Sequence, residues 1–493
     1  MTMFAVGCTA ATHPVAPMVA PCLPATPTSS PAHPNIVFVL ADDLSSNLVQ
    51  YMPHVLALEK RGTTFTNYTV TDSLCCPSRA SILSGRFPHN TGVFTNGGAD
   101  GGFETFYKRG EEASTFATAL QGDGYRTALM GKYLNNYRPR QKLGGSTPYV
   151  PPRWTEWDVA GGGYGGFDYY LNQNHKDVYY RSAAKDYLTD VIANRGKRFV
   201  SACAPGHQPF FLELATFAPH RPYVPAPRDK NAFKGLRAPR TAAYDRLPTD
   251  PPPWLVHQPP LTPAEQAHID WVFRRRAQAD LAIDRAIGML ETAVRDAGDA
   301  GDTDFFFSSD NGYHLGEHRL RPGKMTAFDT DIRVPLVAAG PGIAAGRVCS
   351  NVVENIDLAP TFEALAGLPS TGGDGHSLVS LLRGRRPAGW RTAALIEHHG
   401  LLTAAQAGPD DEPPAPAGNP PSYEAVRTPQ WLYVEYADGG RELYDLMHDP
   451  DELHNLAFAR PRVVRLLHRH LKQIEACSGA SACWTAGRVP PVA

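Results

Sequence analysis

Residues Asn35-Ile36-Val37-Phe38-Val39-Leu40-Ala41 form a continuous apolar, β-branched-rich run that ends abruptly in Asp42-Asp43. Such a run has no polar face to offer to water. As a strand it must be covered on both sides, which is the environment of a parallel sheet interior. Tyr125–Met130, Pro209–Phe217, Thr303–Ser308 and Val334–Ala339 read as further strands, and helical patterns at Ala80–Gly85, Ala113–Gln121, Ala184–Arg195 and Asp357–Ala366 separate them. Strands alternating with helices predict an α/β fold: a large, mostly parallel sheet flanked by helices. Thr262-Pro263-Ala264-Glu265 combines capping-box spacing with a proline at the first helical position, and opens a helix running toward Gly298. A Pro/Asp/Ala stretch, Gly408–Pro421, then breaks the pattern. Beyond it, Trp431–Tyr436 and Arg441–Leu446 alternate like antiparallel strands, and Val463–Ile474 is amphipathic. The expected division is a leader or disordered tether over 1–34, a principal domain over 35–390, and a smaller α+β subdomain over 391–493.

Bulk properties exclude several partners. The 493 residues are 42% hydrophobic and 19% charged, with a net charge of −2 and no basic run suited to nucleic acid. No stretch of about 18 apolar residues exists to form a membrane-spanning helix. Met1–Pro34 is rich in Ala, Pro and Thr and lacks Lys and Arg, and Ala5-Val6-Gly7-Cys8 looks like a lipoprotein cleavage box behind too short an apolar segment. Of eight cysteines, Cys477 and Cys483 close a short Ser/Gly/Ala loop, either as a disulfide in an oxidising compartment or as reduced thiols. An extracytoplasmic location is expected, secreted or lipid-anchored through Cys8.

The chemistry-bearing residues stand at element ends. Asp42-Asp43 closes the first strand, and Asp310-Asn311 follows Thr303–Ser308 in the same way; the carboxyl edge of an α/β sheet is where sites form. Either pair alone could cap a helix or make an Asx turn. Two such pairs supply four oxygen-donating side chains, a set that selects a hard cation, Ca²⁺ or Mg²⁺. Cys75 opens Cys75-Cys76-Pro77-Ser78-Arg79, with Pro77 placed for a first helical turn. That puts Cys75 at the positive end of a helix, although a lone cysteine there could equally pack or form a disulfide. Arg79 lies about one turn further on. Lys132 follows a strand, Lys324 sits in Gly323-Lys324-Met325, and His220 sits in a loop after Pro209–Phe217. Read singly, each of these three has an ordinary structural explanation.

The string from Leu74 to Arg86, continued through Phe87-Pro88-His89-Asn90-Thr91-Gly92-Val93, resembles the signature of type I sulfatases of the alkaline phosphatase superfamily. The resemblance extends from Pro34 to Leu456 and includes Tyr444-Asp445-Leu446. It implies that Cys75 is oxidised to Cα-formylglycine by a formylglycine-generating enzyme. It further implies a metal, Ca²⁺ with Mg²⁺ as the variant, held by Asp42, Asp43, Asp310, Asn311 and the modified residue 75. Arg79, Lys132 and Lys324 would then steady the hydrated aldehyde and the sulfate, and His220 would protonate the departing alcohol. The implied substrate is a sulfated carbohydrate or small sulfate ester.

One position departs from the pattern. Many arylsulfatases carry a histidine two residues after the first lysine, where this chain has Leu134 in Gly131-Lys132-Tyr133-Leu134-Asn135. This version looks like the N-acetylglucosamine-6-sulfatase branch, and His314 and Asn135 are the candidates for the absent histidine's task. Rival expectations are an arylsulfatase or phosphonate or phosphate ester hydrolase on the same scaffold, and a catalytically silent glycan-binding protein. Trp154, Tyr164, Tyr169, Tyr170, Tyr179 and Tyr180 crowd one Gly-rich stretch, where they could stack on sugar rings or form a hairpin core.

Overall fold

The computed structural model describes residues 33–204, 208–385, 387–400 and 420–490. The leader over 1–34 and the Gly408–Pro421 stretch therefore lie almost wholly outside the described residues, as do Cys8 and Cys22. Ten strands make the principal sheet. In chain order they are β1 (Asn35–Ala41), β2 (Thr63–Phe65), β4 (Arg126–Lys132), β5 (Glu156–Ala160), β6 (Tyr169–Gln173), β7 (Lys176–Tyr180), β8 (Phe210–Ala215), β9 (Thr303–Ser309), β10 (Leu336–Ala339) and β11 (Arg347–Cys349). A short pair, β3 (Tyr68–Thr69) with β12 (Val353–Glu354), stands apart from it. The spatial order is β11-β2-β10-β9-β1-β8-β4-β5-β6-β7.

Full burial of β1 follows from its place between two parallel neighbours, β8 and β9. Its side chains alternate between two cores, as the two-residue strand period requires. Ile36, Phe38 and Leu40 join Phe116, Leu358 and Phe362 on one face; Val37, Val39 and Ala41 join Ile192, Phe199, Ile283 and Ile287 on the other. Helices Phe116–Gly122 and Leu358–Leu365 cover the first face, and Leu188–Cys203 and Pro263–Asp296 the second. The Pro263–Asp296 helix carries the full Thr262/Glu265 capping box.

Several details differ from the sequence reading. The helix expected over Ala184–Arg195 starts at Leu188 and continues to Cys203, and the strand expected from Val334 starts at Leu336 and runs antiparallel to β9. The β6–β7 hairpin turns through Asn174 and His175, both at positive φ of 47° and 71°. That is a tight-turn geometry which here lacks its usual glycine signal. Tyr169 stacks on Tyr180 and Tyr170 packs on Tyr179, so four of the crowded aromatics build this hairpin.

A second, antiparallel sheet forms the C-terminal part: β13 (Ala394–His398), β14 (Tyr423–Arg427), β15 (Trp431–Tyr436) and β16 (Arg441–Asp445). Helix Pro461–Ile474 lays Val463, Val464, Leu467 and Leu471 in the core beside it, and Cys477 is disulfide-bonded to Cys483. The fold is thus a large mixed, mostly parallel sheet flanked by helices, with a C-terminal antiparallel-sheet subdomain.

Candidate functional site

Parallel register brings the strand ends together. Ala41 pairs with Ser309, so Asp42 and Asp310 emerge side by side, and the Asp310 N–H donates to the Ala41 carbonyl at 3.1 Å. Lys132 closes β4 at the same sheet edge, and β8 leads at that edge into the loop bearing His220. The Cys75–Ser84 helix is buried along its whole length and starts at Cys75. The Cys76 N–H, one of the free donors of its first turn, donates to Asn96 Oδ1 at 2.9 Å. Gly85, at φ 70°, ends the helix in the left-handed conformation that glycine adopts without strain.

Cys75 Sγ lies 3.3 Å from Asp42 Oδ1, 3.7 Å from Asp43 Oδ1 and 2.8 Å from Lys324 Nζ. Lys324 Nζ also donates to Asp43 Oδ1 at 2.6 Å, and Lys132 Nζ to Asp42 Oδ2 at 2.7 Å. Arg79 Nε donates to Asp310 Oδ2 at 2.7 Å, so this guanidinium braces a carboxylate of the cluster. His220 Nδ1 meets the Arg221 carbonyl at 2.7 Å, which makes Nδ1 the donor and leaves Nε2 directed 3.5 Å from Asp43 Oδ2. Ligand atoms of Asp42, Asp43, Cys75 and His220 lie within 4.8 Å of one another. Asn311 Nδ2 donates to Asp43 Oδ1 at 2.7 Å.

The charges are strongly coupled. Burial works to raise Asp42, but Lys132, His220 and Arg79 hold it well below the usual carboxylate range. Asp43 is likewise lowered against burial, chiefly by Lys324. Burial and the Asp42 charge push Asp310 up despite Arg79. The Cys75 thiol is pushed well above its ordinary value by burial and Asp42.

Whether a cation fits can be judged from the oxygens left over. Asp43 Oδ2 and Asn311 Oδ1 are both buried and make no hydrogen bond. Buried oxygens in that state are costly unless something else takes their lone pairs. Asp42, Asp43, Asp310 and Asn311 are hard donors, so the pocket fits a divalent cation.

Of the two candidates for the absent histidine's task, Asn135 Nδ2 donates to the Tyr164 hydroxyl at 3.5 Å. His314 Nδ1 meets Asp331 Oδ2 at 2.9 Å, and its backbone bridges Gly323, the neighbour of Lys324. Leu134 is buried in the apolar core. One further residue escaped the sequence reading. Arg276, fully buried on the long helix, donates to the Asp43 carbonyl and stacks 4.0 Å from the Tyr313 ring centre. It stands in Arg274-Arg275-Arg276, where nothing local separates a fully buried arginine from two half-buried ones. Tyr164, grouped in the sequence with the hairpin aromatics, lies instead against Lys132 and His220.

Comparison with known proteins gives the family. The family model described as "Sulfatase" matches residues 34–368, and that described as "N-sulphoglucosamine sulphohydrolase, C-terminal" matches 316–477. The chain belongs to the sulfatase family. It is a sulfuric ester hydrolase, 33% identical over 490 residues to the N-acetylglucosamine-6-sulfatase of Homo sapiens, covering 93% of this chain and 87% of that protein. A solved structure of a protein in complex with its substrate D-glucosamine-2-N,6-O-disulfate superposes with a TM-score of 0.72 at 23% identity, covering 90% of this sulfatase and 97% of that chain. A phosphonate monoester hydrolase from Silicibacter pomeroyi shares the fold at a TM-score of 0.68 and 21% identity, with 89% and 94% covered.

Proposed function

We propose that this sulfatase hydrolyses the 6-O-sulfate of N-acetylglucosamine or of a closely related sulfated glycan, using formylglycine made from Cys75. The near-full-length likeness to N-acetylglucosamine-6-sulfatase supports the substrate. The observation that carries the chemistry is the position of Cys75 Sγ between Lys324, Asp42 and Asp43. Formylglycine supplies, when hydrated, a hydroxyl nucleophile and a second hydroxyl through which sulfate is later expelled. A divalent cation, read as Ca²⁺ with Mg²⁺ as the variant, supplies Lewis acidity, and Asp42, Asp43, Asp310, Asn311 and residue 75 would hold it.

The chain's own residues do the rest. Asp42, Asp43 and Asp310 face Arg79, Lys132 and Lys324, three carboxylates against three cations. An added dication makes the pocket net positive, which suits a sulfate monoester anion. Lys132 and Lys324 neutralise charge on the sulfate oxygens as the bond to the alcohol lengthens. His220, with Nδ1 committed to a carbonyl, has Nε2 available to protonate the leaving oxygen. Asn135 and His314 complete the proposed substrate contacts. A formylglycine-generating enzyme is the proposed maturation partner. The Cys477–Cys483 disulfide supports an extracytoplasmic location.

Mass spectrometry of the peptide spanning residues 70–86 tests the nucleophile: a loss of about 18 Da from the cysteine form is expected for the aldehyde. A wholly unmodified peptide from the native host would leave a silent glycan binder. Parallel assays with sulfated monosaccharides, 4-nitrophenyl sulfate and the matching phosphoesters test the substrate. A catalytic efficiency dominated by phosphoesters would overturn it.

A further inference from the structure

Tyr164 stands in Gly161-Gly162-Gly163-Tyr164-Gly165-Gly166, one aromatic side chain among five glycines. The short turn Gly163–Gly165 joins β5 to β6, flanked by Gly162 and Gly166 at φ 71° and 69°. A side chain at Gly163 would meet Leu188 Cδ2 at 2.4 Å, so the turn is pressed against the core. The glycines let the backbone approach that closely, and Tyr164 is the one large group the turn presents.

Its side chain touches residues from two separate strings of the site. The ring centre lies 4.5 Å from that of His220 and 5.0 Å from Lys132 Nζ, while the hydroxyl accepts from Asn135. Phe217 supports it perpendicularly at 4.9 Å. Leu134 turns into the apolar core, so the position where a histidine is absent offers the site no polar group. From this juxtaposition we infer that Tyr164 is a positioning residue for His220 and Lys132. Its ring limits rotation of the imidazole whose Nε2 faces the cluster, and its π face supports the Lys132 ammonium. A general acid works only when its proton is aimed at the leaving oxygen, so the aim of His220 decides how well a poor leaving group departs.

The inference rests on the sulfatase reading, and leaving-group dependence tests it separately. A nitrophenolate departs with little help, whereas a sugar alkoxide needs a proton. Tyr164→Leu is expected to lower kcat on N-acetylglucosamine 6-sulfate by about 30-fold or more, and on 4-nitrophenyl sulfate by only about 3-fold. Tyr164→Phe, which keeps the ring, should retain at least about a third of both rates. Equal losses on the two substrates, no loss, or a Phe variant as poor as Leu would each overturn the proposal. If Tyr164→Leu melts below the assay temperature, Tyr164→Met, which fills similar volume without a π face, is read in its place against the same outcomes. Should the unaltered enzyme leave N-acetylglucosamine 6-sulfate untouched, the substrate reading fails. The same split is then measured with a primary alkyl sulfate.

Discussion

Cys75 and Lys324 show how far single residues control this site. The Lys324 ammonium is the one cation within hydrogen-bonding reach of both Cys75 Sγ and Asp43 among the described residues. Replacing it with alanine leaves Asp43 buried with its Lys324 contact gone, and takes positive charge from where the proposed reaction develops charge on sulfate. Lys324→Ala is expected to lower kcat by about 100-fold or more, measured on saturating substrate. Cys75→Ala removes the precursor of the proposed nucleophile and should abolish turnover. The residue is small and packed in a wholly buried helix, so the melting temperature should move little. Retained turnover in Cys75→Ala would refute the assignment.

At the scale of elements, the site depends on strand ends meeting in register. Gly131, at φ 113°, precedes Lys132 on β4, and a Cβ there would fall 1.8 Å from the Ala215 carbonyl of β8. Gly131→Ala must therefore separate the two strands that carry Lys132 and lead to His220. The expected cost is about 2 kcal/mol or more of stability together with a loss of activity, read by denaturant unfolding and by kcat. Arg276 acts at the same scale: its guanidinium ties the long helix to the Asp43 carbonyl. Asp43 itself sits at a φ of 66°, a left-handed conformation uncommon for a residue with a side chain.

Over the whole molecule, the C-terminal subdomain is joined to the segment after the cysteine helix. His89 bonds Glu397 of β13 at 2.8 Å, and the Cys477 carbonyl receives Asn90 Nδ2 at 3.0 Å. Reduction of the Cys477–Cys483 disulfide is expected to lower the melting temperature, by an amount equivalent to about 2 kcal/mol for so short a loop. Calorimetry with and without reductant checks this. Glu442 gives a pH signature. Burial pushes it up to about 7, although Tyr436 and Tyr444 both donate to it, at 2.6 and 2.7 Å. A carboxyl raised in the fold holds its proton more tightly there than in the unfolded chain. Its contribution is complete below about pH 4.5 and fades as pH climbs through about 7. Glu442→Gln lacks that term, so its stability relative to the unaltered protein should rise by up to about 3 kcal/mol between pH 4.5 and 7.5, measured by urea unfolding at each pH.

What sequence alone determined were those features whose cause is local. The unbroken apolarity of Ile36–Ala41 requires two covered faces, and the structure buries all of β1 between parallel neighbours. The Thr262/Glu265 capping box and the first-turn proline forecast the long helix, because both act within a single turn. Asp42-Asp43, Asp310-Asn311 and Cys75–Arg79 were legible as contiguous strings at element ends. Tertiary structure alone decided which strings meet. Asp42 and Asp310 stand 268 positions apart in the chain and become neighbours only through the β1–β9 register. It also drew Tyr164 out of the aromatic crowd and Arg276 out of an arginine run, since burial and partner choice are set by long-range packing that no local pattern encodes.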